Sequence, residues 1–306
     1  VIHWLTEPWT WQFFRHGVIA AVLAGALTGL VGVYVVLRRM SYIGHGLSHA
    51  AFGGAVVGYV LGANFYLVAG AWALVAALLI HLVARQRGIG ADAAIGIVTT
   101  AAFAIGVAVI SQGHHFTRNF DAALFGNILG VSRDDLWILG ISGAVVVAVL
   151  FLQYKPLLFA TFDPEVAPSY GIGRWRADLV LSLVLAATII VTMRILGVTL
   201  VAAAIVIPAA VARLVTTSFA RMLIIGTFVG AATGLVGMYA SYYADVASGA
   251  TIVLTSAALF VVVLAATGAQ RLRRRGVARA LAEATLAGPG AIAQSTSRAN
   301  SRSRTA

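Results

Sequence analysis

Long, nearly uncharged apolar runs follow one another through most of this 306-residue chain. They cover about residues 13–37, 41–62, 65–84, 92–112, 135–153, 177–193, 195–215, 221–243 and 250–268. A helix needs about 20 apolar residues to cross the hydrocarbon core of a bilayer, whereas a membrane strand needs only about ten, alternating in polarity. The runs have the helical length and lack the alternation. In lipid every spanning backbone group must be satisfied from within, which a helix achieves by itself. The expected fold is all-α: a polytopic integral membrane protein with eight or nine transmembrane helices. The number turns on Pro208, which should kink or break the helix of the 195–215 run.

Composition excludes the soluble alternative. Hydrophobic residues make up 60% of the chain and charged ones 10%, against about 25% charged in a soluble domain. The net charge of +11 could suggest a nucleic-acid partner, but its distribution does not. Arginines cluster at the ends of the apolar runs and beyond the last one, where a bilayer and its anionic cytoplasmic lipid place them. No nucleic acid is expected, and membrane lipid is. The chain has no cysteine, so thiolate metal sites are excluded.

Lysine and arginine in alternate loops set the orientation. One set of loops holds Arg38/Arg39, Arg85/Arg87, Lys155/Arg174/Arg176, Arg213/Arg221 and Arg271/Arg273/Arg274/Arg275, and the other holds Arg15, Arg118, Arg133 and Arg194. The richer set is cytoplasmic. That places the N-terminal end outside and the C-terminal end inside, and an odd number of crossings, nine, follows. Residues 1–270 form the membrane domain, and residues 271–306 are expected to form a basic, mobile cytoplasmic tail with few large apolar side chains. Its first part, RLRRRGVARALAEATL, could also lie on the membrane surface as an amphipathic segment.

Ionisable groups inside a span are costly and are functional candidates by default. The strongest are His45 and His49 in RRMSYIGHGLSHAAFGG. Four residues apart on a helix, they share a face about 6 Å apart along the axis. Two imidazoles at this spacing can hold one metal ion, and neutral imidazole suits zinc, iron, nickel or copper. His114 and His115, in an outer loop with Asp121, are a possible metal entry point. Asp163, Pro164 and Glu165 lie in the most polar cytoplasmic loop and resemble a helix start, with Asp163 as cap and Pro164 first. Such a short helix suits docking to a partner. The single lysine, Lys155, precedes Pro156, so no G-x-x-x-x-G-K-[ST] phosphate loop can be written. The chain is not expected to be an enzyme, and an ATP-driven process needs a separate ATPase.

Five ordered segments carry a family resemblance: VVLRRMSYIGHGLSHAAFGG at 35–54, DAAIGIVTTAAFAIGV at 92–107, LFGNILGVSRDDL at 124–136, FDPEVAPSYGI at 162–172 and LGVTLVAAAIVIPAAVARL at 196–214. Together they resemble the zinc/manganese-type ABC transporter permeases, the membrane subunits of bacterial metal importers. The resemblance implies eight spans, a paired permease core in the bacterial plasma (inner) membrane, two cytoplasmic ABC ATPase subunits and an extracytoplasmic metal-binding lipoprotein. It also implies that the loop holding Asp163, Pro164 and Glu165 docks the ATPase and that the helix after LRRMS lines the metal path. No permanent cofactor is implied; a divalent metal ion is the substrate. The family pattern has aspartate where this chain has His45. Replacing a hard carboxylate by nitrogen favours zinc, with manganese or iron as alternatives. An ion-coupled secondary transporter is a weaker reading, because it would need intramembrane carboxylates. A non-transporting scaffold packed by its glycine rows is the other.

Overall fold

The computed structural model describes residues 6–86, 88–112 and 124–286. Among them there is no strand. Nine helices of 18 residues or more run in chain order: α1 Gln12–Leu37, α2 Ser41–Val60, α3 Phe65–Val83, α4 Ala91–Gln112, α5 Arg133–Leu152, α7 Arg174–Leu196, α8 Val198–Val215, α9 Phe219–Ala244 and α10 Ser248–Leu286. A short helix, α6 Tyr154–Phe162, sits between α5 and α7. One compact unit ends at Phe260, and a second begins at Val261 within α10. That helix continues to Leu286 and so covers the RLRRR segment.

Eight of the long helices are apolar enough to cross a membrane; α2 is the long helix outside that set. Contacts at the two ends of the first unit show that α2 nevertheless traverses it. At the arginine-rich inner end, Arg38 after α1 pairs with Asp178 of α7, Arg85 after α3 lies over Trp175, and Tyr154 of α6 meets Phe219 of α9. At the outer end, Tyr66 of α3, Asp135 of α5 and Arg194 of α7 meet, and Trp9 donates to the Tyr239 hydroxyl of α9. Helix α2 starts just beyond Arg38 and hands over to α3 just before Tyr66. Its 20 residues give about 30 Å at helical rise, a full hydrocarbon thickness. Eight spans by length and hydropathy is the number the resemblance implies, and the nine of the charge count needs α2 as well. Composition alone misses α2 because it carries serine, histidine and glycine where its neighbours carry leucine and valine.

Glycine rows set the closest crossings. A Cβ on Gly25 or Gly29 of α1 would strike the carbonyl oxygen of Gly230 or Gly226 of α9, and a Cβ on Gly234 would strike that of Ala21. Such small-residue spacing lets backbones touch where lipid supplies no hydrophobic drive between helices. In α2, a Cβ on Gly53 would strike the Ala102 carbonyl oxygen of α4, and one on Gly54 would strike the Trp72 side chain of α3. Gly62 is outside this packing: it closes α2 in a left-handed turn at φ 61.

Two sequence expectations are corrected. Pro208 does not break its helix: α8 runs unbroken from Val198 to Val215 with Pro208 buried inside it. The ring removes one donor, to the Ala204 carbonyl, and packing of α8 against α1 at Gly32, Ile205 and Ala209 holds the helix together despite that loss. The chain breaks instead at Gly197, with φ 87. There the backbone of Leu124, Phe125 and Gly126 approaches to 2.5–2.6 Å of where a Cβ would stand, so only glycine fits. Second, Asp163 and Pro164 do not start a helix. Asp163 closes α6, its N–H donating to the Phe159 carbonyl at 2.8 Å. Residues 164–166 then form a turn, and a 3-10 turn follows at Ala167–Tyr170.

Candidate metal site

Helix α2 is buried on most sides, and Tyr42, His45 and Tyr59 stand on its exposed edge. The His45 and His49 rings lie 4.7 Å apart, centroid to centroid, crossed at 79°. His45 is exposed on this chain's own surface and His49 is half-buried, edge-on to Phe103 of α4 at 5.7 Å. Phe103 in turn stacks on Phe52 at 5.6 Å, so an aromatic wall backs the inner imidazole. Gly46 lets α4 close in behind: a Cβ there would lie 2.7–2.8 Å from Thr99 and Ile95. The Ser48 hydroxyl donates to the His45 carbonyl at 2.7 Å, which satisfies its proton inside the helix. His49 lies eight residues beyond the start of α2, about 12 Å into the bundle.

Among the described residues no group of three or more His, Cys, Asp or Glu comes together. The His45/His49 pair therefore has no third such donor beside it among the described residues. His114 and His115 lie outside the described residues. Asp163 and Glu165 are exposed at the inner end, next to Val166 and Tyr170, themselves 47% and 70% exposed. Acidic and apolar side chains therefore share one accessible surface. Phe162 meets Phe219 at 5.8 Å, and Phe219 meets Tyr34 of α1 at 5.3 Å. Aromatic contacts thus run from this surface to the first and ninth helices. Pro208 is buried in α8 and adds no ligand.

A polar hub at the outer end escaped sequence reading. Asp135 is buried, and its carboxylate accepts from the Tyr66 hydroxyl at 2.7 Å, from Arg194 at 2.6 Å, and from the Ser132 hydroxyl and N–H at 2.8 and 3.0 Å. Ser132 and Asp135 form a reciprocal capping box at the start of α5. The sequence signal was present, since S-x-x-D ahead of an apolar run marks a helix start. The hub fastens α3, α5 and α7 where the 124–130 segment meets Gly197. Asp135→Ala leaves the Tyr66 hydroxyl and the Ser132 N–H without an acceptor, at a cost of about 1–3 kcal/mol. The loss of Arg194 pairing adds little, because that side chain is 49% exposed. Thermal unfolding in detergent checks this, and an unchanged melting temperature contradicts it.

Comparisons with known proteins agree with this architecture. The family described as "ABC 3 transport family" matches residues 10–267. The manganese transport system membrane protein MntC of Halalkalibacterium halodurans is 37% identical over 252 residues, 82% of this chain and 86% of that protein. The probable iron transport system membrane protein of Haemophilus influenzae is 32% identical over 265 residues, 86% of this chain and 96% of the other. Among solved structures, PsaBC from Streptococcus pneumoniae in complex with Fab superimposes with a TM-score of 0.78 at 29% identity, covering 86% of this chain and 94% of that one. With all nine apolar runs falling in the matched region and its helices arranged as in that structure, the chain belongs to the ABC 3 transport family, as a multi-pass permease subunit of the bacterial plasma membrane.

Proposed function

We propose that this chain, paired with a second copy of itself, forms the ion pathway of an ATP-driven importer for a divalent transition metal, with zinc preferred over manganese and iron. The observation that carries this reading is the imidazole pair of α2, 4.7 Å apart on an edge that the rest of the described chain leaves open. An imidazole facing hydrocarbon is expensive, so that edge calls for a polar partner. A two-fold related copy brings its own His45 and His49 to the same axis. Four nitrogens then complete the tetrahedral shell that two cannot.

The metal preference follows from the ligand type. Relatives are named for manganese and for iron, and the resemblance implies aspartate where this chain has His45. An all-nitrogen set is softer and less charged than one with carboxylates, which disfavours manganese and suits zinc. Binding must stay weak enough for release, and no covalent chemistry occurs in this subunit. His114 and His115 receive the ion from an extracytoplasmic metal-binding lipoprotein. The loop of Asp163, Pro164 and Glu165, with both carboxylates exposed, docks a cytoplasmic ABC ATPase, whose stroke reaches α1 and α9 through Phe162, Phe219 and Tyr34. Residues 1–270 do this work in the membrane, and residues 271–306 are a basic cytoplasmic tail.

Reconstitution with the ATPase and binding protein tests it, by uptake of radioactive zinc, manganese and iron with and without ATP. The expected result is ATP-dependent zinc uptake about tenfold above manganese, with His45→Asp reversing the order. Equal zinc and manganese uptake by both forms overturns the preference. Uptake without ATP overturns the class.

A further inference from the structure

Away from the imidazole pair, the inner end holds a cavity of about 320 Å³ between the end of α3 and the start of α7, lined by His81, Ala84, Arg85, Trp175 and Asp178. Its charges are arranged for an anion. Asp178 is already engaged by Arg38 at 2.5 Å, and that guanidinium side chain is only 7% exposed. The carboxylate is therefore neutralised from behind. Arg85 lies over the Trp175 ring at 5.6 Å, held by cation–π attraction at the cavity mouth. His81 approaches the Ser182 hydroxyl at 3.4 Å, which leaves its other ring nitrogen for a further partner. A metal cation placed here would meet Arg85 with the one carboxylate already paired to Arg38, so a metal exit site is disfavoured.

The surface just below the cavity says which anion. Leu74, Leu78 and Leu82 follow at four-residue spacing on α3, 42%, 43% and 48% exposed. They form an apolar stripe that leads from the middle of the span toward Arg85. A polar cavity at the cytoplasmic interface above an apolar stripe matches a phosphodiester above an acyl chain; a free phosphate would use only the cavity.

We propose that the cavity between α3 and α7 is a headgroup site for an anionic phospholipid, with Arg85 and His81 on the phosphodiester, Trp175 as its wall and the acyl chain along Leu74, Leu78 and Leu82. Basic pockets between helices on the cytoplasmic side have this chemistry. The site is separate from the metal pathway and stands whether or not that reading holds.

The test uses the full-length permease in nanodiscs of phosphatidylcholine with increasing phosphatidylglycerol, followed by native mass spectrometry of the retained lipid. Wild type retains phosphatidylglycerol selectively. Arg85→Gln lowers that selectivity about fivefold, the share expected of one interfacial cation, and Arg85→Lys keeps at least half of it. A further arm adds inorganic phosphate to the wild-type protein, which leaves lipid retention unchanged. Selectivity that is absent in wild type, or equal in Arg85→Gln, overturns the site. Displacement of the lipid by inorganic phosphate, or by a second copy covering the leucine stripe, overturns the lipid as its occupant.

Discussion

Replacing His49 with alanine is expected to lower ATP-dependent metal uptake more than about 100-fold, beyond the loss seen when an outer-shell partner of a metal ligand is removed. The size follows from symmetry. In a two-fold pathway one substitution deletes a ligand from each copy, so two of four nitrogens vanish together. For the same reason His45→Ala combined with His49→Ala should be scarcely worse than either alone, because residues acting as one unit are not additive. His16→Ala, a half-buried position on α1, should stay within about twofold of wild type. Uptake in the reconstituted complex checks all three, with ATPase association measured alongside. Full uptake by the double variant would remove the imidazoles from the pathway.

The largest expected effect on stability lies at the crossing of α1 and α9. Gly230→Val puts three carbons where the Gly25 carbonyl oxygen and the Gly29 Cα now sit. A flexible side chain could yield, but here both obstacles are backbone, so the helices must part along the whole glycine row. Overpacking costs about 1–3 kcal/mol where side chains adjust, and this position should fall at or beyond the upper end. Gly140→Ala is the matched control: nothing lies within 4 Å of its would-be Cβ, and an alanine in a helix interior is favoured by up to about 1 kcal/mol. Thermal unfolding in one detergent separates them. Equal melting temperatures would mean that the crossing contributes no stability.

Much of the fold was legible because its signals are local. Each span is a run that can be counted, and arginine bias orients the set. The His45/His49 pair was legible for the same reason, since helical spacing alone places both rings on one face. What escaped depends on contacts between distant segments. Asp178 and Arg194 stand near span ends in the sequence, and each closes an ion pair with a partner 140 or 59 positions away. Asp135 sits in a cap motif, but its burial under Tyr66 cannot be counted from spacing. Helix α6 lies between apolar runs, and its Pro156 falls in the first turn, where proline is tolerated. Pro208 failed the other way: its intrinsic tendency to break a helix was outweighed by packing of α8 on α1.

The central claim is a four-nitrogen site shared by two copies of α2, and X-ray absorption at the zinc edge of the metal-loaded permease measures it most directly. The predicted spectrum is four imidazole nitrogens at about 2.0–2.1 Å, lost together in His49→Ala. A shell dominated by oxygen, or one that His49→Ala leaves intact, would contradict it.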